Sequence, residues 1–192
     1  MKILDVKGRR VWDSRGRPTV ETEVLLTSGA TGCAIAPAGA SRGMHEAIDL
    51  RDGNEAFAGY GVEDALSNVN GPIAELLRGM DSRDQEAVDL AMIDLDDTDS
   101  KSKLGGNATI ATSMAVLHAA ASGAGLPLWE HLADGGDVRL PMPEIQIFGG
   151  GAHAEGRVDI QDFMAIPVGA ESFGEALEMV AEVYIAAGKL MA

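Results

Sequence analysis

Polar and apolar positions alternate from the start of the chain. Residues 3–12 (ILDVKGRRVW) and 19–26 (TVETEVLL) predict strands. In the second, Val20, Thr22, Val24 and Leu26 alternate with Glu21 and Glu23, the period of a half-buried strand. The intervening DSRGRP carries Gly16 and Pro18 as breakers. SGATG predicts a turn and CAIAP a third short strand, so the opening reads as an antiparallel meander.

From about residue 43 the pattern turns helical, with helices predicted at 62–69, 72–79, 84–95, 107–123 and 127–133. Gly71-Pro72 separates the first two, and Pro72 suits a first helical turn. NATIATSMAVLHAAASGAG is apolar on most faces, as a buried helix is. A linker, DGGDVRLP, spans 134–141, and two short apolar strands follow at about 143–148 and 160–166. Phe173, Leu177, Val180, Tyr184, Ala187 and Met191 then recur at helical spacing over 172–191, behind a Ser172–Glu175 capping box. Two strands and one helix rarely complete a domain, so the sequence reads as a fragment. It carries no internal repeat and no low-complexity tract.

Composition narrows the class. Apolar residues make up 46% of 192, enough for a core, but aromatics are only 4%, so aliphatic side chains and Met must fill it. Fifteen basic against thirty acidic residues leave a net charge of -15, which repels nucleic-acid phosphates and anionic membrane surfaces. An anionic substrate would therefore need metal ions or local Arg and Lys. The single cysteine, Cys33, permits no internal disulfide and fits a reducing cytosol. MKILDVKGRRVWD lacks the apolar run of a signal peptide, and no stretch reaches the about 18 apolar residues of a membrane span.

The candidate chemistry centres on GGGAHAEGRVDIQDFMAIP, residues 149–167. It sets His153 behind three glycines and a Gln161-Asp162 pair eight residues later. His45, His118 and His131 lack ligand spacing with His153, so a histidine-based metal cluster is not supported. GGGAH is no phosphate loop, since it lacks the GxxxxGK[ST] pattern. Asp159 and Asp162, three apart, would face opposite sides of a strand. Gln161 and Asp162 would also diverge, unless the strand is kinked or ends there. APAGASRGMHEA, residues 36–47, surrounds Ser41 with small residues, the composition of a mobile loop and equally of a surface turn. DSKSKLGGN reads as a solvated loop or as an anion-binding loop before a helix N-terminus.

Taken in order, DSRGRPTVETEV, PAGASRGMHEAIDLRDG, GVEDALSNVNGPIA, DQEAVDLAMIDLDDTDSKSKLGGNATIATSMAV, GLPLWEHL and GGGAHAEGRVDIQDFMAIPVGAESFGEALEMVAEVY resemble enolase, the phosphopyruvate hydratase of glycolysis, from about residue 3 to 190. The resemblance implies an N-terminal α+β domain at 1–138, a three-stranded antiparallel meander followed by helices. It further implies the truncated start of a modified (β/α)8 barrel at 139–192, which in this family begins strand, strand, helix. The implied activity is Mg²⁺-dependent reversible dehydration of 2-phospho-D-glycerate to phosphoenolpyruvate by a cytoplasmic homodimer. The small anionic phosphorylated substrate is its partner, with neither nucleic acid nor a membrane span. By the same resemblance His153 and Asp162 are catalytic and, with Gln161, bind substrate. Ser41 of the mobile loop meets the second Mg²⁺. The catalytic lysine, the other glutamate and the remaining metal carboxylates lie beyond Ala192.

The sequence also departs from the pattern. Ser41-Arg42 replaces a serine-threonine pair, Gly149-Gly150-Gly151 replaces Asn-Gly-Gly, Gln146 stands where Asn is usual, and Asp162 where Glu is usual. The shorter acid sets its carboxylate back by about 1.5 Å, and a misplacement of that size can cost about a hundredfold in rate. Three readings stay open: an enolase proper, an enolase-like paralog acting on a related phosphate or phosphonate as carboxyphosphonoenolpyruvate synthase does, and a non-catalytic scaffold.

Overall fold

The structure, a computed structural model, describes residues 1–39 and 43–191, without the side chains of Ala152 and His153. It divides into two units, Met1–Gly135 and Gly136–Ala192.

The first unit is the predicted meander backed by helices. Strands β1 (Ile3–Trp12), β2 (Pro18–Leu26) and β3 (Thr31–Ala36) pair antiparallel in the order β1-β2-β3. The alternation in the sequence sorts the faces of the sheet. Val20, Thr22, Val24 and Leu26 are buried, while Lys7 lies opposite Glu23 and Arg9 opposite Glu21 on the other face, where Arg9 and Glu21 form an ion pair. The third strand starts two residues before the predicted CAIAP, because Gly32 belongs to it and not to the turn. A Cβ at Gly32 would lie 2.1 Å from Ala119 N and 2.4 Å from Ala115 O, so the glycine marks where the sheet presses on a helix backbone.

That helix is α4 (Gly106–Ala124), which buries Ala108, Ala111, Ala115, Val116 and Ala119 in the core. Thr112 Oγ1 also lies 3.4 Å from Thr22 Oγ1 across the interface. The helix is not buried all round, since Ile110 is 53% exposed and Met114 is exposed beside it. The unit's remaining helices are α1 (Glu63–Asn68), α2 (Ala74–Leu77), α3 (Gln85–Asp96) and α5 (Leu128–Ala133), of which α1, α3 and α5 pack against α4.

Two expectations need correction. The stretch from residue 43 to 62 holds no α-helix, only a short turn at Ala56–Gly59 in which Phe57 and Ala58 have φ of 54° and 52°. Its main chain is tied locally instead: Asp52 N donates to Gly61 O at 3.0 Å, and the Asp52 carboxylate accepts from Glu63 N and Asp64 N to cap α1. Nor does Gly71-Pro72 break the helix. The chain passes from α1 to α2 through a widened π-type turn, Val69–Ile73, with Pro72 inside it. Proline has no N–H to donate, and a widened turn accommodates its ring without ending the helix. Val69, Ile73 and Leu77 are thereby all buried.

In the second unit β4 (Ile145–Gly149) and β5 (Asp162–Ala165) pair antiparallel and lead to α6 (Phe173–Met191). Both strands are shorter than the apolar runs predict. Ser172 caps α6 by accepting from Glu175 N at 3.2 Å, but Glu175 reaches back to Glu171 N at 2.7 Å, one residue before the box predicts. The helix buries Ala176 and Val180, whereas Leu177 is exposed and Tyr184 is 60% exposed. A (β/α)8 barrel closes with eight strands, whereas the described residues of this unit form two.

Candidate active site

The glycine-rich turn is pinned to the approach of β5 by its own backbone. Gly149 pairs with Asp162, Gly150 N donates to Gln161 O at 2.7 Å, and Gly151 N donates to Val158 O at 2.7 Å. Glycine is required here on steric grounds: a Cβ at Gly150 would sit 2.0 Å from Ile160 O, and Gly151 has a φ of 55°. Beyond it the chain makes a short turn, Gly151–Ala154, whose backbone carries His153; the imidazole itself lies outside the described residues. Phe148 and Phe163 stack beneath at 4.4 Å between ring centroids and secure the pairing.

Asp162 is the first residue of β5 and Gln161 stands just outside it. Strict strand alternation therefore does not separate them, and Gln161 Nε2 lies 3.4 Å from Asp162 Oδ2. Gln146 Nε2 donates to the other oxygen, Asp162 Oδ1. All three side chains are exposed. Asp159 stays in the preceding loop and takes no part in this contact. Gln146, a departure from the pattern the chain resembles, joins the site through this bond. The available signal was a polar residue at an outward position of an apolar strand, IQIF.

Ser41 lies outside the described residues, but both flanks of its segment are held. Thr19 Oγ1 donates to Ala36 O at 2.7 Å, and Arg15 Nη2 to Ala38 O at 2.6 Å. On the far side Ile48 N donates to Ser100 O at 2.7 Å, and Gly106 N to Ile48 O at 2.8 Å. A cleft of about 420 Å³ opens in this unit between Pro37, Glu46, Asp49, Asn107 and Met114.

The DSKSKLGGN loop turns its donors inward. Leu104 N donates to Asp96 Oδ2 at 2.7 Å, Lys101 Nζ to Thr98 O at 2.5 Å and Lys103 Nζ to Leu95 O at 2.8 Å. The anion-binding alternative loses main-chain donors to the chain itself, since Gly105 N donates to Lys101 O and Gly106 N to Ile48 O. Burial works to raise the Asp96 carboxyl. Hydrogen bonds from Thr98 Oγ1, Leu104 N and Thr98 N, with the Lys101 charge, outweigh it and hold the group below the usual carboxylate range.

Magnesium was expected from the resemblance. Among the described residues no three His, Cys, Asp or Glu side chains form a set that could hold a metal ion, so those residues do not fit the ion by themselves. Among them, too, no helix is long and apolar enough to cross a membrane.

The segments that build these features fall inside two family matches. Residues 3–132 match the enolase N-terminal domain, and residues 137–192 match the enolase C-terminal TIM barrel domain. The first match alone covers more than half of the chain and includes the meander, α1 to α4 and the clamped segment around Ser41; the second covers the pinned glycine turn with Gln161 and Asp162. The chain therefore belongs to the enolase family.

Proposed function

We propose that this chain is part of a lyase that reversibly dehydrates 2-phospho-D-glycerate to phosphoenolpyruvate in glycolysis. The observation that supports this reading best is the pinned turn. Gly150 N bonded to Gln161 O brings the His153-bearing segment beside Gln161 and Asp162 at one end of a strand pair. Barrel enzymes gather their reacting groups at strand ends of this kind.

In this reading Gln161 and His153 hydrogen-bond the anionic groups of the substrate. Asp162 sets a carboxylate beside the substrate as the second acid of the site, and assistance to the departing hydroxyl is assigned to no residue of this chain. Ser41, which lies outside the described residues, would offer its hydroxyl oxygen to a magnesium ion. The described residues form no donor set for that ion. Removal of the C2 proton is assigned to no residue of this chain. The second unit contains one lysine, Lys189, near the end of α6. We assign the complete enzyme a homodimeric, cytoplasmic form.

One feature favours a second reading, in which a paralog acts on a related phosphate or phosphonate. Asp162 is a short acid bonded to a long amide, Gln146, so this end of the strand pair is built differently from the usual pattern. Steady-state turnover separates the readings. With 2-phosphoglycerate and Mg²⁺, the form whose barrel is complete should produce phosphoenolpyruvate, followed by its ultraviolet absorbance, and the 192-residue chain alone should not. Turnover of a carboxyphosphonate analogue without turnover of 2-phosphoglycerate would replace the first reading by the second. Turnover of neither by a folded protein would leave a scaffold role.

A further inference from the structure

We infer that Gln146 is a positioning residue for the Asp162 carboxylate, and that the lengths of these two side chains are matched to each other across β4 and β5. The inference rests on the role given to Asp162 above.

Gln146 does not lie opposite Asp162. Its partner in register is Met164, and a register shift falls between Gln146 and Phe148. The acid is therefore on the diagonal, where such neighbours stand about 7–8 Å apart and only long side chains meet. Glutamine spans that gap. Its Nε2 donates to Asp162 Oδ1, while Gln161 Nε2 lies 3.4 Å from Oδ2. With an amide at each oxygen, the plane of the carboxylate is set as well as its position. At 3.4 Å the contact from Gln161 is beyond the usual hydrogen-bond length, so Gln146 is the principal constraint. All three groups are exposed, so water replaces a lost bond cheaply and the contact adds little to stability. Its consequence is orientation. Gln146→Asn withdraws the amide by about 1.5 Å and breaks the contact. Asp162→Glu advances the carboxylate by the same length and overshoots the present meeting point. Together the two exchanges keep the summed reach.

The test is a double-mutant cycle with two readouts. In the 192-residue chain, the side-chain amide resonances of Gln146 should move on Asp162→Ala; unmoved resonances overturn the inference. In the form whose barrel is complete, Gln146→Asn and Asp162→Glu should each lower kcat on 2-phosphoglycerate by about tenfold to a hundredfold, with KM within about threefold. The double exchange should be faster than either single variant, so that Asp162→Glu harms the Gln146 background and helps the shortened one. Additive losses, unaffected kcat in the single variants, or losses confined to KM overturn it. If the wild-type form does not turn over 2-phosphoglycerate at all, the proposed reaction falls. The amide resonances then decide the Gln146–Asp162 pairing by themselves.

Discussion

Asn107 binds both main-chain groups of Leu50: its Oδ1 accepts from Leu50 N at 3.1 Å and its Nδ2 donates to Leu50 O at 3.0 Å. One side chain thus replaces a strand neighbour for a segment that has none. Asn107 is only 1% exposed, and the two preceding glycines make the approach possible, since a Cβ at Gly105 would lie 2.6 Å from Leu50 Cβ. Asn107→Leu keeps the branched shape but is bulkier, loses both bonds to Leu50 and strands its two main-chain groups. We expect a loss of about 3 kcal/mol, read as a lower urea midpoint at unchanged slope. A variant within about 0.5 kcal/mol of wild type would show that water replaces the amide there.

Gly32→Ala should be costly for a different reason. The atoms its Cβ would meet, Ala119 N and Ala115 O, are backbone and cannot swing aside. Either β3 or α4 must move, and overpacking of this kind costs about 3 kcal/mol. Thermal unfolding measures it. Gly29→Ala is no control, because Gly29 has a φ of 86°, whereas Gly71 has neither a close neighbour nor a positive φ and serves as one.

Asp96 makes stability depend on acid pH. Its folded carboxyl is held below the ordinary value, so the stabilisation is complete above the unfolded value of about 3.9. It is lost as pH falls through the folded value. Asp96→Asn should cost about 2 kcal/mol near neutrality and flatten the acid limb of the stability profile. Parallel wild-type and variant profiles between about pH 5 and pH 1 would mean that the carboxylate's bonds to Thr98 and Leu104 do not stabilise the fold.

Hydrogen exchange should separate the two long helices. Helix α4 buries eleven of its residues, whereas α6 buries Ala176 and Val180 alone and exposes Leu177, Val183, Tyr184 and Ile185. Local opening follows the amount of buried apolar contact, so the amides of Phe173–Met191 should exchange well before those of Gly106–Ala124. Equal protection in a monomeric sample would contradict this.

Much of the fold was legible because its signals are local. Val20 to Leu26 alternate cleanly, Ser172 and Glu175 mark a helix start, and the Ala-rich run could only be a long helix. The misreadings arose where a residue answers to a distant neighbour. Gly32 looked like part of a turn, but its reason is the backbone of Ala119. Pro72 looked like a break, but a widened turn carries it. The segment after residue 43 looked helical, yet Asp52 and Gly61 tie it into a loop.

The candidate site divides in the same way. The sequence by itself determined which groups are available: the glycines, Gln161, Asp162 and the positions of His153 and Ser41 in their motifs. It also determined the family resemblance, since motif order is a property of the chain. Only the tertiary structure decided that Gly150 N meets Gln161 O, that β5 starts at Asp162 so that Gln161 escapes the alternation, and that Gln146 reaches the acid from the next strand. Strand register and diagonal reach join residues far apart in sequence through cross-strand hydrogen bonds, and no local pattern of polar and apolar positions encodes those distances.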